Sequence, residues 1–244
     1  MTRRLHVKPS MLQRIYFSDE AHFELEGCTN KQNNRHWARE NPRQFEQRSL
    51  HCSRVTVWIA MSGTAIYGPI FYDGNVTKES YGAVLEEFVA SLYGSFDGRE
   101  FDRIWFMQDG ATPHTAHQNL AILHEHFGPR IFSGRYPQSY GCGIDWPPYS
   151  PDINPCDYFL WGYLKGRVYK DAPMTLDALK QAITREIEAI TPETLRKVML
   201  NFRKRLILVQ EQGGRHIEHL LKFFVVIIRI FKINFRFFLC YTAL

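Results

Sequence analysis

Cysteine is scarce in this chain and badly arranged for cross-linking. The 244 residues hold five, Cys28, Cys52, Cys142, Cys156 and Cys240, an odd set with no C-x-x-C pair. That argues against a disulfide framework and against a zinc knuckle, and it suits a reducing cytosolic or nuclear compartment. A secretory leader is not expected either: the opening MTRRLHVKPSMLQRIYF has bases but no apolar run of sufficient length before Asp19. Nor is there a long uncharged stretch. The tail FFVVIIRIFKINFRFFLCYTAL is interrupted by Arg229, Lys232 and Arg236 before roughly 18 apolar residues accumulate, so no membrane span is expected. Excess charge of one sign is also lacking. The net charge is +5, but four of those bases (Lys222, Arg229, Lys232, Arg236) lie in residues 222–244, which hold no acid, leaving +1 for residues 1–221. Net charge alone therefore gives no argument for a nucleic-acid partner. Repeats and low-complexity tracts are absent as well.

What is present is hydrophobe enough for one large core: 45% apolar and 14% aromatic side chains. Residues 15–25 (IYFSDEAHFEL) alternate like a strand, and 55–61 (VTVWIAM) and 66–72 (IYGPIFY) are β-rich runs bounded by turn residues. From 78 to 96 the apolar residues Tyr81, Val84, Leu85, Phe88, Val89, Leu92, Tyr93 and Phe96 trace one helical face. Residues 103–108 (RIWFMQ) are apolar on both alternating faces, as in a strand covered on both sides. Residues 114–127 suit a helix through Leu120, Leu123 and Phe127, and a glycine- and proline-bearing loop follows over 128–151. A helix restarts near Pro155. Another is marked by Leu176, Leu179, Ile183 and Ile187, and a last one is capped by Thr191 with Pro192 at its first position and stopped at Gly213-Gly214. The order of elements predicts an α/β fold, a mixed sheet with helices packed on it. Residues 27–54 form a polar stretch too long for an ordinary connection.

Three aspartates carry the chemical interest. Alternation puts Asp19 on the face of Ile15, Phe17, Ala21 and Phe23, while Glu20 and His22 point the other way. A charge on an apolar face calls for a partner or a metal; an edge position or a salt bridge would also explain it. Asp109 follows the expected central strand and precedes Gly110, at the edge where open α/β sheets gather ligands; an Asp-Gly turn bonding local backbone is the simpler local reading. Asp157 stands three residues after the candidate cap Asn154, so a capping role and a metal role are both open to it. Asp152, after Pro151, competes with it. A first strand, the end of a later strand and the start of a following helix are places that can converge. Hard carboxylate oxygens are what two Mg²⁺ ions require for in-line displacement at phosphorus.

These residues sit in the motifs SDEAHF (18–23), QDGATPH (108–114) and WPPYSPDINPCDYFLW (146–161), and with them the chain resembles the catalytic domain of Tc/mariner-type DNA transposases over most of residues 12–221. The resemblance implies an RNase H-like fold, with a long insertion after the first strand. It implies a triad of Asp19, Asp109 and Asp157 as catalytic, metal-holding residues with two Mg²⁺ or Mn²⁺ ions. It further implies cleavage of double-stranded DNA at transposon ends followed by attack of the freed 3′-hydroxyl on target DNA, action in the nucleus, and possible homodimerisation. The insertion is matched by residues 31–54, where Arg35, Trp37, Arg39 and Arg43, with Phe45, Arg48 and Arg54, fit phosphate contact and base stacking. His114 is expected behind Asp109 or at the surface rather than on the metal. In the run Arg203-Lys204-Arg205 a solvated face is the ordinary expectation.

Three departures from the family stand out. Only 18 residues precede Asp19, where relatives carry helix-turn-helix DNA-recognition domains. The second and third aspartates are separated by 47 residues, with extra loop around 134–143. The likeness fades near Leu221, so the domain is set at 1–221, and the aromatic, basic tail 222–244 is expected to lie outside the fold. These departures support a second expectation, a truncated, non-catalytic relic that binds DNA or protein at most.

Overall fold

The computed structural model describes residues 9–25 and 53–221. Five strands form one sheet: β1 (Ile15–Glu24), β2 (Arg54–Met61), β3 (Ile66–Tyr72), β4 (Trp105–Met107) and β5 (Ile131–Phe132), in the spatial order β3-β2-β1-β4-β5. The first three run antiparallel as a meander, and β4 and β5 continue outward from β1 in parallel. β1 is thus the hinge between the two halves of a mixed sheet, bonded on both sides.

Both faces are covered, and the pleat sorts side chains between them. On one face Ile15, Phe17, Ala21 and Phe23 of β1 join Val55, Val57, Ile59 and Met61 of β2. They pack under α3 (Trp161–Val168), α4 (Leu176–Glu188) and α5 (Pro192–Glu211). On the other, Tyr16, Trp58, Ala60 and Phe106 meet α1 (Lys78–Ser95) and α2 (His117–Phe127). The predicted alternation of β1 therefore holds, Asp19 included.

Helix ends follow their local chemistry. Thr77 and Ser80 close a reciprocal capping box on α1, and Thr191 accepts from the Thr194 amide ahead of Pro192 on α5. Gly213 and Gly214 take positive φ just beyond α5 and return their amides to Gln210 and Val209, which stops the helix as expected. Three elements differ from expectation. The central strand is shorter than 103–108, because Arg103 and Ile104 donate back to Glu100 and Phe101 in a tight turn. Helix α2 begins at His117 rather than near His114, whose ring turns inward instead (below). The loop 134–143 contains a short helix, Tyr136–Tyr140, whose Tyr136 is fully buried and reaches the Gly128 carbonyl.

The expected insertion, with Arg35, Trp37, Arg39 and Arg43, lies outside the described residues except at its last two positions, and so does the tail 222–244. Among the described residues no helix is long and apolar enough to cross a membrane.

Candidate active site

Register brings the first two aspartates together. In the parallel pair β1–β4, Phe17 stands opposite Met107. Asp19 and Asp109 are each two residues further along, so the pleat sends both toward the same face. Ser18 reinforces this register by donating its hydroxyl to the Met107 carbonyl at 2.8 Å inside the sheet.

The third aspartate arrives on a turn pinned to the same strand. Asn154 Oδ1 accepts from the Cys156 amide at 3.1 Å, as the predicted cap should. The first turn, Cys156–Leu160, is then wound as a π-helix, a form concentrated at functional sites. The buried Cys156 thiol donates to the Phe17 carbonyl at 3.3 Å, two residues before Asp19. Asp157 follows directly. One turn on, Trp161 Nε1–H donates to Asp19 Oδ2 at 2.8 Å, tying α3 to the first carboxylate.

The three carboxyl groups act on one another electrostatically. Burial first, and then the charge of Asp157, push the Asp19 carboxyl well above its ordinary range, against the stabilising Trp161 bond. Asp157 is open to solvent on its outer side, yet desolvation on the inner side, with the charge of Asp109 added, raises it to about 6 against the help of Asn154. Asp109 behaves oppositely. Burial would raise it, but a bond and a charge from His114 outweigh that and hold its carboxyl below the usual value. Its Oδ1 accepts from the Ala111 amide at 2.9 Å, the Asp-Gly turn expected on local grounds, and also from His114 Nδ1 at 2.6 Å. The local turn and the bond to His114 coexist at one residue.

Asp152 is occupied elsewhere. Its buried carboxylate accepts from the Ile217 amide at 2.8 Å and from His216 at 3.3 Å, while its carbonyl accepts from Arg205. Arg205 departs from the solvated face expected of its run: it is buried, stacks 4.1 Å over the Tyr158 ring and pairs with Glu218. This strap fastens residues 215–221 to the turn just before Asp157.

Among the described residues no three His, Cys, Asp or Glu side chains are already drawn up as a ready-made metal cage. The donor set nevertheless fits a hard divalent cation: three carboxylates within electrostatic reach, two of them with their charged forms disfavoured, is a deficit that a cation corrects. The deficit has a measurable sign. A carboxyl raised in the folded state costs stability as pH climbs from the unfolded value near 4 to about 6, and the cost persists above. Asp157→Asn should therefore raise the melting temperature of EDTA-treated protein at pH 8 by a few degrees. This corresponds to about 1 kcal/mol after solvent screening. The variant should melt like the parent near pH 4. Calorimetry at the two pH values checks it, and a lower melting temperature at pH 8 would contradict the crowding.

Residues 14–180 match the family described as DDE superfamily endonuclease. The chain belongs to that family. It is similar to the Tc3 transposase of Caenorhabditis elegans, 28% identical over 205 residues, which make up 82% of this chain and 57% of that protein. The chain thus spans somewhat more than half the length of this relative. Its fold matches the crystal structure of the catalytic domain of Mos1 mariner transposase with a TM-score of 0.60 at 16% identity, covering 89% of this chain and 90% of that one. It also matches the Mos1 transposase paired-end complex with left transposon end, at 0.65 and 17%, covering 89% and 60%. Other matched Mos1 structures carry Mg or Mn. The five-stranded mixed sheet of this DDE endonuclease domain is accordingly RNase H-like, the fold of the Mos1 catalytic domain.

Four residues of this domain escaped the sequence reading as site elements: Trp161, Glu20, Gln108 and Tyr81. Trp161 had a usable signal, since it stands four residues after Asp157 on one helical face. The others belong to contacts between distant segments, described below.

Proposed function

We propose that this chain is a metal-dependent DNA endonuclease and strand-transfer domain of the Tc/mariner type, with Asp19, Asp109 and Asp157 as its catalytic carboxylates. The observation that carries this reading is the convergence of three aspartates from β1, the end of β4 and the turn before α3, with Asp19 raised by burial and by the charge of Asp157, and Asp157 raised by burial and by the charge of Asp109. These residues would hold two Mg²⁺ or Mn²⁺ ions, which when bound supply an activated water or 3′-hydroxyl nucleophile and neutralise the leaving oxygen at phosphorus. Asp157 is preferred to Asp152 as the third group because the Asp152 carboxylate is committed to the Ile217 amide. Trp161 holds Asp19 by one oxygen, and His114 holds Asp109 by one oxygen. Double-stranded DNA is the proposed substrate, in keeping with the Mos1 complex with transposon-end DNA, and the nucleus is the proposed compartment.

The test is nicking of supercoiled plasmid by the full chain. Open-circular product is expected with Mg²⁺ or Mn²⁺ and none with EDTA. Salt-sensitive binding of the plasmid without any nicking would instead favour the relic reading.

A further inference from the structure

Asp19 and Glu20 are neighbours on β1, and the pleat sends them to opposite faces of the sheet. Asp19 goes to the carboxylate cluster. Glu20 goes to the other layer, where its Oε1 meets His114 Nε2 at 3.1 Å. The opposite ring nitrogen of His114 meets Asp109 Oδ1 at 2.6 Å. Both acceptors are carboxylate oxygens, so both ring nitrogens serve as donors, and the imidazole is a bridge between a residue of β1 and the loop after β4.

The bridge is rigid on every side. The His114 ring lies against Tyr81, with centroids 4.1 Å apart. The His114 carbonyl accepts from Gln108 Nε2 at 2.9 Å, and fully buried Gln108 is fixed in turn by Ser133 and by the Tyr81 hydroxyl at 2.7 Å. The His114 side chain is 4% exposed, against 49% for that of Asp109, so a buried anchor grips a group that is open to a ligand. The bonds from His114 and Ala111 both fall on Oδ1, and Oδ2 takes no part in them. A carboxylate locked through one oxygen presents the other in a fixed direction.

We propose that Glu20 and His114 are positioning residues: through the Glu20–His114–Asp109 bridge they set the orientation in which Asp109 offers its oxygen to a divalent cation. This rests on the metal reading of the site given above. It assigns work to two residues that do not themselves join the aspartate cluster, one of them on the opposite face of the sheet.

The test is titration of the full chain with Mn²⁺, following free Mn²⁺ by electron paramagnetic resonance, with circular dichroism reporting the folded fraction. The parent protein should bind, and Asp109→Asn should not. His114→Ala should weaken binding about 10–100-fold, the usual cost of losing a partner behind a metal ligand. Charge alone predicts the opposite sign, because losing a cation beside the site would tighten Mn²⁺ binding. A second pair avoids any folding problem at His114. Glu20→Ala and Glu20→Gln lose the same charge, but glutamine keeps an oxygen for the Nε2 proton, so Glu20→Gln should bind several-fold more tightly than Glu20→Ala. Unchanged or tighter binding by folded His114→Ala, or equal affinities for the two Glu20 variants, would overturn the bridge while leaving the metal reading intact. No Mn²⁺ binding by the parent protein would overturn the metal reading, and the bridge with it.

Discussion

Plasmid nicking by Asp109→Asn is expected to fall about a thousandfold or more relative to the parent chain, to the level of the EDTA control. Asparagine keeps the size of the side chain and an Oδ1 that can accept from the Ala111 amide and from His114, so the loop after β4 should survive. What disappears is the negative charge, and the group losing it is the one carboxyl of the three whose ionised form the protein favours. A metal ion contributes several kcal/mol to phosphoryl chemistry, and each 1.36 kcal/mol is a factor of ten. Asp152→Asn is the companion measurement. Its carboxylate serves the Ile217 amide, so the expected result is a lower melting temperature with nicking per folded molecule retained. Loss of nicking in folded Asp152→Asn with retention in Asp157→Asn would exchange the two assignments.

The second large effect is structural. Phe202→Ala should lower stability by about 3–5 kcal/mol, the range for removing a buried aromatic ring, and the melting temperature by about 10 °C. Phe202 is fully buried on α5, with its ring 4.9 Å from that of Phe17 in an edge-to-face pair. Phe17 is the strand residue whose carbonyl receives the Cys156 thiol and whose register partner is Met107. The region matched to the family ends at residue 180, yet the core under Asp19 continues through Leu195, Val198, Met199, Phe202 and Leu206. A chain cut at residue 180 would expose this face of the sheet. Differential scanning calorimetry of Phe202→Ala checks the size of the effect, and a change under 1 kcal/mol would show that α5 is an accessory.

The sheet and its helices were legible because burial repeats with a period that a sequence displays. Strand β1 alternates, β2 is a β-rich run buried on both faces, α1 and α4 keep a 3.6-residue face, and Asp19 announced itself as a charge on an apolar side. Arg205 could have been read the same way, since Val198, Phe202 and Arg205 stand at i, i+4 and i+7 of α5; the basic run around it drew attention to charge and away from period. Glu20 was placed correctly, facing away from Asp19, but nothing local could reveal a partner 94 residues on. Pairings such as Glu20 with His114, or Asp152 with Ile217, depend on where separate elements come to rest, and periodicity is silent about that. The choice between Asp152 and Asp157 was open for the same reason: both follow a proline and lie near a helix start, and only the strap from α5 separates them.

The strap also orders events in time. Asp19 and Asp109 leave the ribosome early, but the turn bearing Asp157 is fastened by Arg205, His216 and Ile217, and the face beneath it is filled by Phe202. A nascent chain holding all three acids still lacks the clasp that seats the last of them. The three aspartates are therefore not seated together until nearly all of the described polypeptide has been synthesised and packed.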